Sequence, residues 1–242
     1  MIVTKQDGRR FPLVSAENKC VITQGEQKID LLGEDVVTMN VESATPLEFD
    51  IGDTIEIFGY IYTMNALPEM TKRGERVFSY GLVFEGVRYE LLKAQFLDLD
   101  SAGIALSGDF SVMLSLRGFC EMIIRNANRA QPGRWALCDD CPESDSRNMA
   151  FADEHCLSAL QRVCEEFEYE FWIENTVETH GRTSQLHIGT VGSTLPHEFA
   201  YGRGKGLYEL TRQPLDSENI VTRLYAFGSE RNIRAGYRLK IR

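Results

Sequence analysis

The sequence lacks the features of membrane, secreted and repeat proteins. No apolar run approaches the roughly 18 residues of a membrane span, and the N-terminus M-I-V-T-K-Q-D-G-R-R-F has neither the apolar region nor the cleavage site of a signal peptide. No repeat and no low-complexity segment is visible, which excludes solenoids and long linkers. We therefore expect a globular protein without a membrane span that folds in a cytoplasm.

Motifs for catalysis are also scarce. The chain has no G-x-S-x-G and no H-E-x-x-H, and its four histidines, at positions 155, 180, 187 and 197, lie in no local signature. The glycine-rich residues 202–206 match no phosphate-loop pattern and predict a turn that exposes Arg203 and Lys205. A chain with 36 acidic residues always contains carboxylate pairs, so glycoside hydrolysis is neither indicated nor excluded. We predict no catalytic and no cofactor-binding residues.

The cysteines do not predict a metal site. Six are present, and some lie inside predicted helices, which favours reduced thiols over disulfides. Cys138 and Cys141 form the single C-x-x-C, and the nearest further ligands are His155 and Cys156. Adjacent residues at a helix start point about 100° apart and rarely share one ion. We expect a loop with free thiols here.

Charge is abundant but uneven. The formal net charge is −10; residues 138–178 carry twelve carboxylates against two arginines, whereas residues 203–242 carry nine basic side chains against four acidic ones. An acidic total argues against tight general binding of duplex DNA, which needs several phosphate contacts from Lys and Arg. Both charged blocks are typical of solvated surfaces.

Residues 19–96 show an almost uniform β pattern. Strands are predicted at 20–23, 36–41, 54–57, 61–65 and 76–85, and in the last of these Phe78, Tyr80, Leu82 and Phe84 share one face. Gly59 predicts a tight hairpin, and the polar residues 71–76 predict a second turn. Together these segments predict an antiparallel meander.

The pattern then becomes helical before strands return. One amphipathic helix is predicted over 108–129, capped by Ser107 or Asp109, and a second over 154–167, capped by Asp153. Strands follow at 169–173, 185–191, 198–201 and 207–211. This order of β, then α+β, then β segments predicts an α+β protein that is mainly β.

A last strand pattern, over 217–233, is apolar on both faces and carries Arg223 in its middle. Because an unpaired buried charge is costly, Arg223 either pairs with a buried carboxylate or reaches across a subunit boundary. The chain stops at Arg242 inside another alternating segment. We expect a truncated chain whose natural protein continues.

Several segments together resemble the N-terminal region of phage and prophage tail hub proteins, the tail-associated minor structural proteins. The similar segments, in order, are residues 52–65, 67–68, 80–92, 126–129, 132–135, 156–167, 201–211 and 219–225 with Gly228. The resemblance covers nearly the whole chain. Each motif alone is weakly specific, but their order and spacing are characteristic.

The resemblance implies a discontinuous antiparallel β-barrel, similar to that of the tail tube, with an inserted α+β domain. Residues 1–100 would begin the barrel, 101–204 would form the insertion with both helices, and 205–242 would return to the barrel. It further implies a baseplate hub at the virion tail tip. There a homotrimeric ring would join other tube and tip proteins and let DNA pass, without a cofactor or metal. Arg203, Lys205 and Arg223 are then expected at a subunit interface or in a structural ion pair.

Two other functions stay open at this stage. The chain could be the N-terminal part of a tail-associated cell-wall hydrolase or endopeptidase, with any hydrolase activity expected beyond residue 242. It could also be a carbohydrate-binding module that recognises the host surface, although Trp135 and Trp172 flank predicted helices and resemble packing residues.

Overall fold

A computed structural model of the chain describes residues 1–14, 19–74, 77–178 and 181–193, together with residues 196, 200–202, 204, 206, 207, 209 and 211. The chain divides into two units, residues 1–192 and residues 193–242. No helix among the described residues combines the length and the apolar character that crossing a membrane requires.

The first unit begins with an antiparallel sheet of eight strands. Their order is β2-β1-β5-β6-β8-β4-β3, and β7 pairs along part of β8. The strands are β1 (Ile2–Thr4), β2 (Arg10–Pro12), β3 (Val21–Ile29), β4 (Asp35–Ser43), β5 (Thr54–Ile57), β6 (Tyr60–Thr63), β7 (Glu69–Arg73) and β8 (Val77–Glu85). Among the described residues β2 and β3 do not pair with each other. The sheet is therefore open here, and the barrel stays a prediction.

The alternation seen in the sequence decides which face of this sheet is buried. Phe78, Tyr80, Leu82 and Phe84 of β8 share one face, as predicted. The last three are buried and Phe78 is partly buried, and this face joins a core formed by residues between Val3 and Phe84. The predicted hairpin at Gly59 is confirmed, since β5 and β6 pair around Phe58 and Gly59. These two residues have φ angles of 49° and 84°, the positive values that a type I′ turn requires.

Mixed α and β segments follow and surround a second core, formed by residues between Leu91 and Ile188. They are a 3-10 helix (Val87–Lys93), β9 (Asp98–Leu99), β10 (Ala105–Ser107), β11 (Asp109–Leu114), α1 (Leu116–Ala130), β12 (Trp135–Leu137), β13 (Arg147–Ala152), α2 (Cys156–Phe167), β14 (Glu170–Glu178) and β15 (Gly181–Gly189). β9 pairs with β10 and β11 with β13, and a further sheet of three strands has the order β12-β15-β14. In that sheet β12 runs parallel to β15.

The predicted start of the first helix was wrong. Residues 109–114 form strand β11, and α1 begins at Leu116, where the Ser115 side chain accepts a hydrogen bond from the Gly118 N–H. The cause is β13, which pairs with β11 along its whole length from 33 or more residues away in sequence. A local helical period cannot compete with a complete strand ladder that satisfies the backbone. The end before Pro132 and Gly133 is as predicted.

The second helix also starts later than predicted. Asp153 does not cap it; its backbone has a φ of 49° and its N–H donates to the Gly108 carbonyl, so Asp153 belongs to the preceding turn. His155 is the N-cap residue of α2, without a side-chain hydrogen bond. The apolar stripe of this helix is confirmed, because its predicted members are all buried: Leu157, Leu160, Val163, Cys164 and Phe167.

In the described part of the second unit, β16 (Ala200–Tyr201) pairs in parallel with β17 (Gly206–Leu207). The strand predicted over 217–233, and Arg203, Lys205 and Arg223 with it, lie outside the described residues. The predicted domain boundaries, including the return of 205–242 to a barrel, therefore stay predictions.

Candidate functional site

The end of β12 places the first cysteine of the C-x-x-C beside β15. The two strands run parallel with Leu137 opposite Leu186, and the Cys138 N–H donates to the Leu186 carbonyl at 2.9 Å. This register sets Cys138 and the residues that follow it next to His187. A parallel pair of this kind needs a long connection, here residues 138–180.

Three potential ligands meet at this point. One ligand atom each of Cys138, Asp140 and His187 lies within 4.8 Å of the other two. The His187 Nδ1 is 2.7 Å from Asp140 Oδ2, and its Nε2 is 3.7 Å from Glu174 Oε2. The imidazole is thus held between two carboxylates, which lie on opposite sides of the ring.

The surroundings of His187 restrict its ring. His187 is only 8% exposed, and the indole of Trp172 stacks on it with 5.1 Å between ring centroids and 12° between planes. Trp172 lies directly opposite His187 in the ladder of β14 and β15. The Nε2 of His187 is buried and makes no hydrogen bond within the part of the chain that the structure describes. Burial without a partner is unfavourable for such a nitrogen.

The structure separates the two cysteines of the C-x-x-C. Cys138 is half-buried beside His187, whereas Cys141 is buried in the second core, where its thiol interacts with that of Cys120. The neighbouring Cys141 thiol raises the pKa of Cys120 well above its usual value. The neighbouring Cys120 thiol, with help from the charge of Arg117, lowers the pKa of Cys141. Cys156, the first residue of α2, is buried with its sulfur 3.8 Å from the Ile123 carbonyl of α1. The structure therefore does not bring together the four ligands considered from the sequence, which are Cys138, Cys141, His155 and Cys156.

The six thiols are expected to differ sharply in reactivity. Cys138 is partly exposed while the other five are buried, and burial raises the pKa of Cys156 and of Cys164 to about 12. A thiol with such a pKa carries almost no thiolate at pH 8. Limited alkylation with iodoacetamide at pH 8, followed by peptide mass spectrometry, should modify Cys138 at least about 10-fold faster than Cys156 or Cys164. Equal rates in the folded chain would contradict the buried positions; in urea all six should react.

No local motif in the sequence marks His187 as a ligand. It lies 47 residues from Asp140, and only the parallel register of β12 and β15 brings them together. One pattern was visible: His187 stands between Leu186 and Ile188 in a predicted strand, and all three are buried. A polar residue inside such an apolar run needs a partner on its own face.

A solved structure shows what this arrangement of sheets is similar to. The prophage tail protein gp18 from Listeria monocytogenes EGD-e aligns with 83% of this chain at a TM-score of 0.50. The chain is similar in fold to a phage tail protein. At 10% sequence identity the likeness concerns the fold alone, and it confirms the resemblance to tail proteins at that level.

A further solved structure is less similar. The Escherichia coli protein c3393, a component of the type VI secretion system with structural similarity to the T4 tail proteins gp27 and gp5, aligns with 70% of this chain at 9% identity and a TM-score of 0.41. The alignments cover 54% of gp18 and 48% of c3393, so the chain spans about half the length of these proteins. No protein-family model and no curated protein sequence matches the chain.

Proposed function

We propose that this chain is a structural component of a phage or prophage tail, in the baseplate hub at the tail tip. The observation that carries the proposal is the fold shared with a prophage tail protein over 83% of the chain. The order of sequence motifs that resembles tail hub proteins supports the same assignment. No bond chemistry is proposed for residues 1–242.

The proposal includes a homotrimeric ring that continues the tail tube and binds other tube and tip proteins. The hairpin of β5 and β6 supports such an assembly, because Phe58 at its tip is 86% exposed and the neighbouring Tyr60 is 60% exposed. Aromatic side chains held out on a rigid turn are enriched at protein interfaces. Arg203, Lys205 and Arg223 are proposed as further interface or ion-pair residues.

DNA passage through the ring is also part of the proposal. The net charge of −10 supports it, since a surface with excess carboxylates disfavours lasting contacts with phosphates. DNA would then move past the ring without being held. The location proposed for the chain is the distal end of the virion tail.

Immunogold labelling tests the location. Antibodies raised against residues 1–242 should label the distal end of tails in negative-stain images of particles from the strain that carries the gene. Label confined to capsids, or spread along the whole tail, would contradict a hub. Chemical cross-linking of the same particles should join three copies of this chain.

Substitution of the hairpin tip tests the assembly surface. In a complementation assay, Phe58→Ser should reduce the number of particles with complete tails at least about 10-fold, as expected for loss of an aromatic contact at an interface centre. Met113→Ser is the matched control, since Met113 is 65% exposed on β11, which belongs to a different sheet from this hairpin. Equal tail yields for both variants would remove the hairpin from the interface.

A further inference from the structure

We propose that Cys138, Asp140 and His187 form a site for one divalent transition-metal ion, with Zn²⁺ as the ion that suits them best. This site is independent of the tail function proposed above. It combines a sulfur, a nitrogen and a carboxylate oxygen, which are the three kinds of protein ligand that zinc takes. Softer thiolate and imidazole ligands also disfavour Mg²⁺ and Ca²⁺.

The distances leave room for an ion after a small movement. In a tetrahedral zinc site with bonds of about 2.0–2.3 Å, ligand atoms lie roughly 3.3–3.6 Å from one another. The three ligand atoms already lie within 4.8 Å of one another, and His187 Nδ1 and Asp140 Oδ2 are 2.7 Å apart. Moving Asp140 back by about half an ångström, which its exposed position permits, opens the site.

The charges balance. A Cys138 thiolate and an Asp140 carboxylate together carry two negative charges, which neutralise the two positive charges of a divalent cation. His187 binds in its neutral form. The excess of carboxylates over arginines in residues 138–178 adds to the attraction for a cation. Three protein ligands leave the fourth tetrahedral position to a water molecule.

Metal binding also gives the unpartnered nitrogen of His187 a role. When Nδ1 holds the ion, the imidazole proton resides on Nε2, which faces Glu174 Oε2 at 3.7 Å. A metal-bound histidine commonly donates its other N–H to a carboxylate, which fixes the ring. Glu174 is therefore a positioning residue, and Trp172 holds the ring plane by stacking. One proton, from the Cys138 thiol, leaves the protein as the ion binds.

Cobalt provides the direct test. The full 242-residue chain, stripped with a chelator, should bind one Co²⁺ per chain and develop the thiolate-to-cobalt absorption and the intense visible bands of a tetrahedral site. One equivalent of Zn²⁺ should remove both signals. The absence of saturable binding, or a spectrum without the thiolate band, would overturn the proposal.

Matched variants identify the ligands. Cys138→Ser, Asp140→Asn and His187→Gln should each weaken Zn²⁺ binding by about 100-fold, and Glu174→Gln by about 10-fold. Asp139→Asn, at the exposed neighbour of Asp140, and Cys141→Ser, at the other cysteine of the C-x-x-C, should leave the affinity unchanged. Equal losses in a ligand variant and its neighbouring control would refute this ligand set.

A measurement on the unaltered chain removes any dependence on how the variants fold. Zn²⁺ should protect Cys138 from iodoacetamide, while Mg²⁺ at the same concentration should not. Because Cys138 is the accessible thiol, peptide mass spectrometry reads this protection directly. Unchanged alkylation of Cys138 at saturating Zn²⁺ would show that its sulfur is not a ligand, and would overturn the site.

Discussion

Replacing Arg88 by methionine is expected to lower the free energy of unfolding by about 3–5 kcal/mol, one of the two largest effects expected of a single change in this chain. Arg88 is 6% exposed, and methionine fills much of the same space without the charge. The loss therefore reports the polar contacts of the guanidinium rather than a cavity. Urea unfolding followed by circular dichroism measures it.

The contacts of Arg88 explain the size of this effect. Its Nη1 donates to the carbonyls of Asp30, Leu31 and Gly33 at 2.8, 3.0 and 3.2 Å. Its Nε lies 3.5 Å from Asp35 Oδ2, and its guanidinium covers the ring of Phe171 at 5.1 Å. Burial lowers the pKa of Arg88 and raises the pKa of Asp35, and in each case the partner's charge opposes the shift. Without Arg88, Asp35 becomes a half-buried charge without its cation.

Two further variants separate this network from a general effect of losing an arginine. Arg9→Met removes an ion pair with Asp7 at 2.6 Å on an exposed loop. No measurable change in the free energy of unfolding is expected for this variant. Asp35→Asn added to Arg88→Met should recover part of the lost stability, because it removes the uncompensated carboxylate. A loss below about 1 kcal/mol for Arg88→Met, or no recovery in the double variant, would contradict this account.

The second large effect is expected for Phe151→Ala, which should lower the free energy of unfolding by about 3–5 kcal/mol. Phe151 is 1% exposed, and its ring lies 4.8 Å from that of Phe96, 5.5 Å from that of Phe110 and 5.9 Å from that of Phe119. These rings come from four separate segments, so truncation leaves a cavity that no single segment can fill by a local shift. Urea unfolding at pH 7 measures the loss.

Met113→Ala on the adjacent strand β11 is the control for Phe151→Ala. Met113 is 65% exposed, and its truncation should change stability by no more than about 0.5 kcal/mol. If both truncations cost the same, the aromatic cluster would not be the centre of the second core. If Phe151→Ala destabilised only part of the chain, the urea unfolding curve would instead show two transitions.

The periodicity of the sequence predicted elements well where one face is buried by neighbours in the same hairpin or helix. In β8 the alternating Tyr80, Leu82 and Phe84 are buried, and in α2 the predicted apolar stripe is buried. The same reasoning failed for residues 109–114, whose alternation is short and whose partner β13 lies far along the chain. Short strands such as β12 and β13 were missed for the same reason, since their ladders supply most of what stabilises them.

The amino-acid sequence by itself determined the α+β class, the buried faces of the long elements and the resemblance to tail proteins, because these depend on local periodicity and on the order of motifs. Only the tertiary structure decided which polar groups meet. Cys138 had been considered with Cys141, but the parallel register of β12 and β15 turns it toward His187 and leaves Cys141 with Cys120 in the core. Strand register between distant segments is set by the burial of whole faces, which no single motif encodes.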